Sequence, residues 1–162
     1  MESDYQSLFQ VRLANYDDIP AIMNITREAY QQMSGAEKLA ALEESYNDVK
    51  KDIDTKVVLL ALSDGEPVGS VRVEVFPDKT AYLSRFAVKV TSQNNGIGKS
   101  IMNLVDKIMV KKGVTQIQLH TGSKITSLIR FYYGRGFYID STDKSRGYVR
   151  ALLIKEYQKK DC

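Results

Sequence analysis

Residues 92–100 read SQNNGIGKS, a glycine-containing stretch that is similar to the phosphate-binding loops of two nucleotide-binding folds. The stretch ends in the Gly-Lys-Ser of a P-loop, but Gln93 stands where that motif needs its first glycine. A dinucleotide fingerprint is also incomplete, because its third glycine would fall on Ile101. Both nucleotide-binding folds start from a parallel βαβ unit. The strands predicted before this loop argue against that unit, so we expect a different fold.

Three strands are predicted immediately before the loop. Residues 56–62 (KVVLLAL) are too short for a buried helix, and the Asp64-Gly65 pair after them favours a hairpin turn. Residues 68–76 alternate valines with polar residues, which is the period of a strand. Residues 81–90 (AYLSRFAVKV) follow the turn at Pro77 and form the third strand. Together the three strands predict an antiparallel meander that leads into the loop.

Helices and further strands are predicted on both sides of this meander. A first strand over residues 8–14 precedes a helix that Asp17 and Asp18 cap, with Pro20 in its first turn. A second, more polar helix over residues 36–52 has a buried face made of Leu39, Leu42, Tyr46 and Val49. After the loop we predict helices over residues 97–112 and 125–133 and strands over residues 114–121, 137–140 and 147–155. The pattern predicts one domain over residues 1–162, of the α/β (α+β) class, with a mixed, mostly antiparallel sheet of about seven strands and helices on both faces.

The composition excludes several classes of function. The net charge is +3, but the 23 basic residues are scattered, which argues against a nucleic-acid partner. Cys162, the only cysteine, is the last residue, and His120 is the only histidine, so we expect neither a disulfide nor a metal site. The longest apolar run, residues 57–62, is far shorter than the roughly 20 residues of a membrane-spanning helix, and the N-terminus lacks a signal-peptide pattern. We therefore expect a cytoplasmic protein with no membrane partner.

The loop itself has the features of an anion site. Gly96 and Gly98 leave backbone N–H groups uncovered at the start of a long helix, where free donors and the helix dipole favour a phosphate. An ordinary strand-to-helix turn, in which the glycines only satisfy a positive φ, stays open at this point.

The order of motifs resembles the GNAT acyltransferase superfamily. The strand LSRFAV, the loop Gln93-x-x-Gly96-x-Gly98, a helix, the strand IQLHT and then the run YYGRGF (residues 132–137) match it, and the resemblance extends from about residue 8 to 155. It implies acetyl-coenzyme A (acetyl-CoA) as co-substrate and no metal. It also implies that the cofactor is bound by the loop residues Gln93, Asn94, Asn95, Gly96, Ile97, Gly98, Lys99 and Ser100, and by the backbone of Phe86, Ala87 and Val88.

The resemblance further implies a V-shaped slot in the sheet. In such enzymes the strand before the loop bulges and parts from the strand after the next helix, here residues 82–90 and 116–121. The pantetheine arm then pairs with the bulged strand like an added strand. A backbone N–H of the same strand would polarise the thioester carbonyl.

The resemblance places Tyr132 at the position of the acid that protonates the departing thiolate. A purely structural role stays open, because Tyr132 lies on the apolar stripe of its helix with Leu128 and Ile129. Tyr133 is a weaker candidate, since it points about 100° away around the helix.

The base that deprotonates the amine is harder to assign. Family members often carry a glutamate near the positions of Ser84 and Arg85, and this sequence has none there. We predict Glu74 as the base, acting through water, with His120 as the other candidate. A solvated Glu74, paired with Arg72 or Arg85, is the alternative.

The acceptor is expected between the first two helices, residues 19–52, and the terminal turn at residues 141–147. Glu28, Glu43, Glu44 and Asp48 could attract a cationic amine there, or could serve solubility alone. The sequence therefore predicts an N-acetyltransferase that acts by direct attack of a primary amine of a small molecule or peptide. A non-catalytic CoA-binding sensor or interaction module is the alternative, a P-loop phosphotransferase is a distant third, and a homodimer stays open.

Overall fold

The computed structural model describes residues 9–33, 36–93 and 95–157 of the chain. The strands are β1 (Phe9–Leu13), β2 (Val57–Ser63), β3 (Glu66–Val75), β4 (Thr80–Val88), β5 (Gln116–Gly122), β6 (Tyr138–Asp143) and β7 (Arg150–Glu156). The helices are α1 (Ile19–Tyr30), α2 (Ala36–Leu42), α3 (Tyr46–Thr55), α4 (Ile97–Lys111) and α5 (Thr126–Gly134). Leu8 of the first predicted strand, the loop residue Asn94 and Cys162 lie outside the described residues.

The strands form a seven-stranded sheet in the order β1-β2-β3-β4-β5-β7-β6. Neighbours pair antiparallel throughout, except that β4 and β5 are parallel. The parallel contact arises because α4 crosses over between these two strands, as a parallel pair requires. The predicted meander is therefore β2, β3 and β4, and the predicted mixed sheet is confirmed.

The sheet carries helices on both faces. On one face α4 and α5 cover a core that includes Leu59, Val71 and Leu119. On the other face α1 and α3 cover a core that includes Val58 and Leu60. Successive residues of β2 therefore enter opposite cores, which explains why this strand is an unbroken apolar run rather than an alternating one.

The predicted helix over residues 36–52 is wrong, because the chain there forms two helices, α2 and α3. Ser45 caps α3: its hydroxyl accepts from the Asp48 N–H at 3.1 Å, and the Asp48 carboxylate accepts from the Ser45 N–H at 2.8 Å. This reciprocal capping starts a new helix and changes its phase relative to α2. As a result Leu39 and Tyr46, both predicted to be buried, are 59% and 47% exposed.

The predicted cap of α1 is correct in position, since Asp18 is the N-cap residue and Pro20 lies in the first turn, but the Asp18 side chain makes no capping bond to this helix. Asn15 caps a short 3-10 helix (Tyr16–Asp18), and α1 begins only after it, at Ile19. The Asp18 carboxylate accepts from the Asn15 N–H at 2.8 Å and forms two bonds to the Arg12 guanidinium at 2.7 and 3.0 Å. Asp18 thus ties the start of the helical region to β1.

The terminal hairpin is longer on one side than predicted. Strand β6 continues through Asp143, and β7 begins at Arg150 rather than at residue 147. Arg150 and Asp143 face each other in the ladder, and the Arg150 Nε lies 3.2 Å from the carboxylate, which extends the pairing into the predicted turn. Among the helices of the described residues, none is long and apolar enough to cross a membrane.

Candidate active site

A gap opens in the sheet between β4 and β5. The two strands pair only at Thr80 with Gln116, Ala81 with Ile117 and Tyr82 with Gln118. Beyond this point β4 continues to Val88 along β3, and β5 continues to Gly122 along β7. We call the gap between residues 83–88 of β4 and 119–122 of β5 the slot. Its position agrees with the one that the resemblance implied.

A β-bulge at Arg85 shapes the β4 side of the slot. Ser70 of β3 pairs with Ala87 and Arg72 with Ser84, so two residues of β4 fit opposite one residue of β3. Arg85 has a φ of 52°, a left-handed conformation that costs a non-glycine residue about 1–3 kcal/mol. The extra residue also changes which face of the sheet the side chains of β4 point to after Arg85.

The shift decides which residues of β4 face each core. Ala81 and Leu83, before the bulge, face the α4 and α5 side. After it Phe86 and Val88 pack on that side, and Ala87 packs against the α1 and α3 side. The backbone of residues 86–88 therefore borders the slot, with bonding to β3 on its other edge.

The loop before α4 presents the start of that helix to the end of β4. Gly96 is the N-cap residue, with φ of 83° and no side-chain cap, and its carbonyl accepts from the Ser100 N–H at 3.0 Å. The N–H groups of the first helical turn, at Ile97, Gly98 and Lys99, have no carbonyl within the helix to bond. They are the donors that an anion would need.

Gly96 and Gly98 must be glycines for different structural reasons. Gly96 needs its positive φ, whereas Gly98 needs space. A Cβ at Gly98 would lie 3.1 Å from the Phe86 ring and 3.3 Å from the Phe131 ring. The predicted anion-binding loop, residues 92–100, is therefore packed against the aromatic side chains beside the slot.

The other predicted loop residues have mixed roles. Gln93 donates through Nε2 to the Val88 carbonyl at 3.2 Å, which holds the loop against the end of β4. The Ile97 side chain is buried in the core, so only its backbone faces the loop. Asn95 and Lys99 are exposed and Ser100 is half-buried.

Tyr132 lies in an aromatic cluster next to the slot. Its ring is 6.1 Å from Phe86, 5.4 Å from Phe131 and 5.6 Å from Phe137, measured between centroids. Tyr132 is 4% exposed, so its side chain is almost completely buried. Burial raises the pKa of Tyr132, and the nearby Tyr30 adds to the effect. The hydroxyl is thus protonated at neutral pH, as a proton donor must be.

Tyr133, the weaker acid candidate, points to solvent. It is 51% exposed on the opposite side of α5. Sequence reasoning did not single out Phe131, which stacks on Phe86 at 5.6 Å between centroids and 13° between planes. No local pattern signals this contact, because it depends on how α5 packs on the bulged strand.

Glu74 lies one strand away from the slot, on β3, and is exposed. Neither arginine that sequence reasoning offered as its partner is paired with it. Arg72 donates to Glu44 at 2.6 and 2.7 Å and to Asp52 at 2.9 Å, and the Arg85 Nε lies 3.4 Å from Glu44. The carboxylate that approaches the bulge is therefore Glu44, from the segment between α2 and α3.

Arg72 is the centre of this charged cluster. Its side chain is 1% exposed, in the middle of the sheet. Burial alone would lower the pKa of Arg72, but the bonds and charges of Glu44 and Asp52 outweigh it and raise that pKa. Both carboxylates are thus committed to a buried cation.

A cavity of about 590 Å³ opens on the same face of the sheet. We call it the polar cavity; its lining consists of Glu44, Asp48, Lys51, Asp52, Thr55, Lys56, Glu74 and Arg85. The lining contains both acidic and basic groups, and Lys56 pairs with Asp52 at 3.3 Å. Of the acidic residues predicted to attract an amine, Glu28 and Glu43 are exposed elsewhere, and Asp48 caps its own helix.

Tyr82 and His120 meet at the closed end of the slot. The Tyr82 Oη lies 2.6 Å from the His120 Nδ1, and the ring centroids are 5.6 Å apart. Sequence reasoning named His120 as a candidate base but missed Tyr82. The contact joins residues 38 positions apart, so only the register of β4 and β5 could have predicted it.

The chain is similar to known acetyltransferases. Residues 19–137 match the model of the Acetyltransferase (GNAT) family. A spermidine N(1)-acetyltransferase from Thermoplasma acidophilum is 24% identical over 149 residues, 84% of this chain and 92% of that protein. The crystal structure of PaiA N-acetyltransferase from Thermoplasma acidophilum in complex with coenzyme A has a TM-score of 0.81 and 23% identity, over 92% of this chain and 99% of that one.

A second solved structure has the same fold with another stated acceptor. The ribosomal-protein-alanine N-acetyltransferase from Brucella melitensis has a TM-score of 0.78 and 17% identity, over 91% of this chain and 99% of that one. These similarities confirm the predicted GNAT-like sheet with helices on both faces.

The matched region contains the bulged strand, the loop and Tyr132. The family match confirms the resemblance that the motifs indicated. It also confirms the predicted enzyme class, an N-acyltransferase of the GNAT type with acetyl-CoA as co-substrate. The chain therefore belongs to the acetyltransferase (GNAT) family.

Proposed function

We propose that this protein transfers the acetyl group of acetyl-CoA to a primary amine of a small molecule or peptide, by direct attack of the amine on the thioester. The observation that carries the proposal is the slot, which begins where β4 and β5 stop pairing and ends beside the uncapped start of α4. A backbone edge and a set of free N–H donors are what an extended pantetheine arm and a pyrophosphate require.

Two parts of the chain would hold acetyl-CoA. The N–H groups from Gly96 to Lys99 would bind the pyrophosphate, and Gln93 would keep this loop against β4 through its bond to Val88. The backbone of Phe86, Ala87 and Val88 would pair with the pantetheine amides. An N–H of the same segment would stabilise negative charge on the thioester oxygen as the amine attacks.

Tyr132 would protonate the departing sulfur. Its burial keeps the hydroxyl protonated, and its ring contact with Phe86 puts it beside the β4 edge of the slot. The raised pKa makes Tyr132 a weaker acid, so transfer needs close contact with a thiolate that is itself poorly solvated. Glu74, the predicted base, would act through water, because β4 lies between it and the slot.

The polar cavity is the candidate site for the acceptor. Glu74 and Arg85 connect it to the bulge. The relative from Thermoplasma acidophilum acetylates spermidine by its name, which makes polyamines the first acceptors to test. The cavity differs from a purely acidic site, since Glu44 and Asp52 are paired with Arg72, Arg85 and Lys56, so amines that also carry an anionic group belong in the same screen.

The experiment is a screen for CoA release from acetyl-CoA with purified protein. Polyamines, amino acids, aminoglycosides and peptides with a free N-terminus are the acceptors. Turnover of at least one amine is expected, and calorimetry should give heat with acetyl-CoA and none with ATP. Binding of acetyl-CoA without turnover of any amine would instead support the non-catalytic module, which the missing carboxylate at Ser84 and Arg85 favours. Cytoplasmic location and dimerisation stay predictions.

A further inference from the structure

The bulge in β4 turns the side chain of Arg85 toward the polar cavity. Leu83 points into the core under α4 and α5, and a strand without a bulge would send residue 85 to that same side. The extra residue re-aims the side chain, as bulges beside functional sites do. Arg85 instead approaches Glu44 and lines the polar cavity, with its side chain 21% exposed. Because residues 86–88 border the slot, the bulge places a cation directly beside it.

The ion pairs of the polar cavity contain more cations than carboxylates. The Glu44 Oε2 lies 2.6 Å from Arg72 and 3.4 Å from the Arg85 Nε. Asp52 lies 2.9 Å from Arg72 and 3.3 Å from Lys56. Three cations therefore share two carboxylates, and Arg85 has the longest of these contacts. Arg85 is thus the least compensated cation of the three.

The other charged groups of the cavity do not reverse this balance. Asp48 is held in the cap of its own helix by Ser45, and Glu74 is exposed, so solvent screens its charge. The lining and Arg72 together contain four carboxylates and four cations: Glu44, Asp48, Asp52 and Glu74, and Lys51, Lys56, Arg72 and Arg85. The cavity therefore has no surplus of negative charge to attract an acceptor with two or more ammonium groups.

Tyr30 of α1 links Arg85 to the reacting end of the slot. The Arg85 Cζ lies 5.7 Å from the centroid of the Tyr30 ring, a cation–π contact. Burial raises the pKa of Tyr30, and the charges of Arg85 and Arg72 oppose that effect. Tyr30 in turn contributes to the raised pKa of Tyr132. One aromatic side chain therefore stands between Arg85 and the proposed acid, and a small acceptor bound to Arg85 is next to the reacting groups.

We propose, as an extension that rests on the proposed function, that Arg85 binds a carboxylate of the acceptor, which is therefore a small amine that also carries a carboxylate. A guanidinium has five N–H donors in a fork that matches a carboxylate, and the long contact with Glu44 is made by Nε. An incoming carboxylate offsets the surplus charge of Arg72, Arg85 and Lys56, whereas a second ammonium group adds to it. Amino acids belong to the proposed class, and diamines do not.

The test compares acceptors that differ in the charge of one group. 4-Aminobutyrate, 4-aminobutanamide and 1,4-diaminobutane share a four-carbon chain and end in a carboxylate, a neutral amide and an ammonium group. The corresponding sets built on glycine and on β-alanine cover shorter distances between the amine and the carboxylate. For at least one chain length, kcat/KM should be about 10- to 100-fold higher with the carboxylate than with the amide, the effect of a hydrogen bond to a charged group. The diamine should be the poorest of the three acceptors.

Variants of Arg85 assign the preference to this side chain. Arg85→Gln should abolish the preference for the carboxylate over the amide, and Arg85→Lys should keep part of it, because an ammonium has the charge without the fork. A general disturbance of the slot would lower both rates together and leave their ratio unchanged. Arg27→Gln is the matched control, since it removes the same charge from an exposed position on α1 outside the cavity lining. It should leave the ratio as in the wild type.

A measurement on the wild type alone covers the case that Arg85→Gln does not fold. Propionate has a carboxylate and no amine, so it should compete with the best acceptor for Arg85. Propionamide, the neutral counterpart, should not inhibit at the same concentration.

Four results would overturn parts of this inference. If the wild type turns over an amine but treats carboxylate and amide alike, or prefers the diamine, the substrate class is refuted and the proposed function stands. If a folded Arg85→Gln keeps the preference, the role of Arg85 is refuted. Equal effects of propionate and propionamide would rule out an anion site for the acceptor. If the wild type turns over no amine, the proposed function fails, and this inference fails with it.

Discussion

The guanidinium of Arg72 binds both carboxylate oxygens of Glu44, at 2.6 and 2.7 Å, although the two residues are 28 positions apart. Arg72 belongs to a central strand, and Glu44 lies between α2 and α3. The bond therefore fixes the connection of the two short helices against the sheet, next to the bulge at Arg85.

This contact predicts a large loss of stability when Glu44 loses its charge. Glu44→Gln leaves Arg72 buried with Asp52 as its remaining carboxylate, and we expect a cost of about 2–3 kcal/mol, since removing one partner leaves a buried charge less well compensated. The neighbouring exposed residue gives the control: Glu43→Gln should change the free energy of unfolding by less than about 0.5 kcal/mol. Urea denaturation of both variants measures the difference, and equal stabilities would contradict the role of Glu44.

The ion pair of Asp18 with Arg12 predicts how the stability of the protein depends on pH. Its bonds to Arg12 and to the Asn15 N–H hold the pKa of the carboxyl below its usual value, although burial opposes the shift. The stabilisation is therefore present above the unfolded pKa of about 3.9 and is lost as pH falls through the lower folded pKa.

The matched variants are Asp18→Asn and Asp17→Asn. Asp18→Asn should cost about 1–2 kcal/mol at pH 7, as the loss of a cap does, and progressively less below about pH 4. Asp17→Asn should cost little at any pH, because the Asp17 side chain makes no comparable bonds among the described residues. A pH-independent gap between wild type and Asp18→Asn would argue against the ionic origin of the effect.

The close packing at Gly98 predicts that a side chain at this position weakens cofactor binding. Gly98→Ala places a methyl group 3.1 Å from Phe86 and 3.3 Å from Phe131, so the loop or the rings must move. We expect a loss of acetyl-CoA affinity of about tenfold, or 1.4 kcal/mol. Gly134→Ala, in α5, is the control, since a Cβ there meets nothing within 4 Å. Gly98→Glu should abolish binding, and calorimetry that gives wild-type affinity for it would refute the assigned loop.

The proposed acid role of Tyr132 predicts that removal of its hydroxyl lowers turnover without weakening acetyl-CoA binding. Tyr132→Phe keeps the aromatic packing against Phe86 and Phe137 and removes only the hydroxyl, so we expect kcat to fall about 100-fold while acetyl-CoA affinity is unchanged. Tyr133→Phe is the matched control, because Tyr133 is exposed. Unchanged kcat in Tyr132→Phe would leave Tyr132 with a packing role only.

The sequence predicted the sheet well because its central strands have strong patterns. Residues 57–62 are apolar throughout, and the observed β2 is buried on both faces over most of its length. The break between α2 and α3 was missed because the alanine, leucine and glutamate residues of 36–44 favour helix right up to it. The Ser45-x-x-Asp48 pattern was the available signal, since it matches a capping box.

The site was predictable only where a motif is local. The loop at Gly96 and Gly98 and the run from Tyr132 to Phe137 are short patterns, and they pointed to the correct family. The contacts of Arg72 with Glu44, of Tyr82 with His120 and of Phe86 with Phe131 join distant parts of the chain. The contact of Phe86 also depends on the bulge at Arg85, which no residue preference signals, because arginine rarely adopts a positive φ.

The most direct test of the account is a crystal structure of the protein with acetyl-CoA. We expect the pantetheine amides to be hydrogen-bonded to the backbone of Phe86, Ala87 and Val88, and the pyrophosphate to lie on the N–H groups that follow Gly96. A complex in which acetyl-CoA binds elsewhere, with side chains closing the gap between β4 and β5, would contradict it.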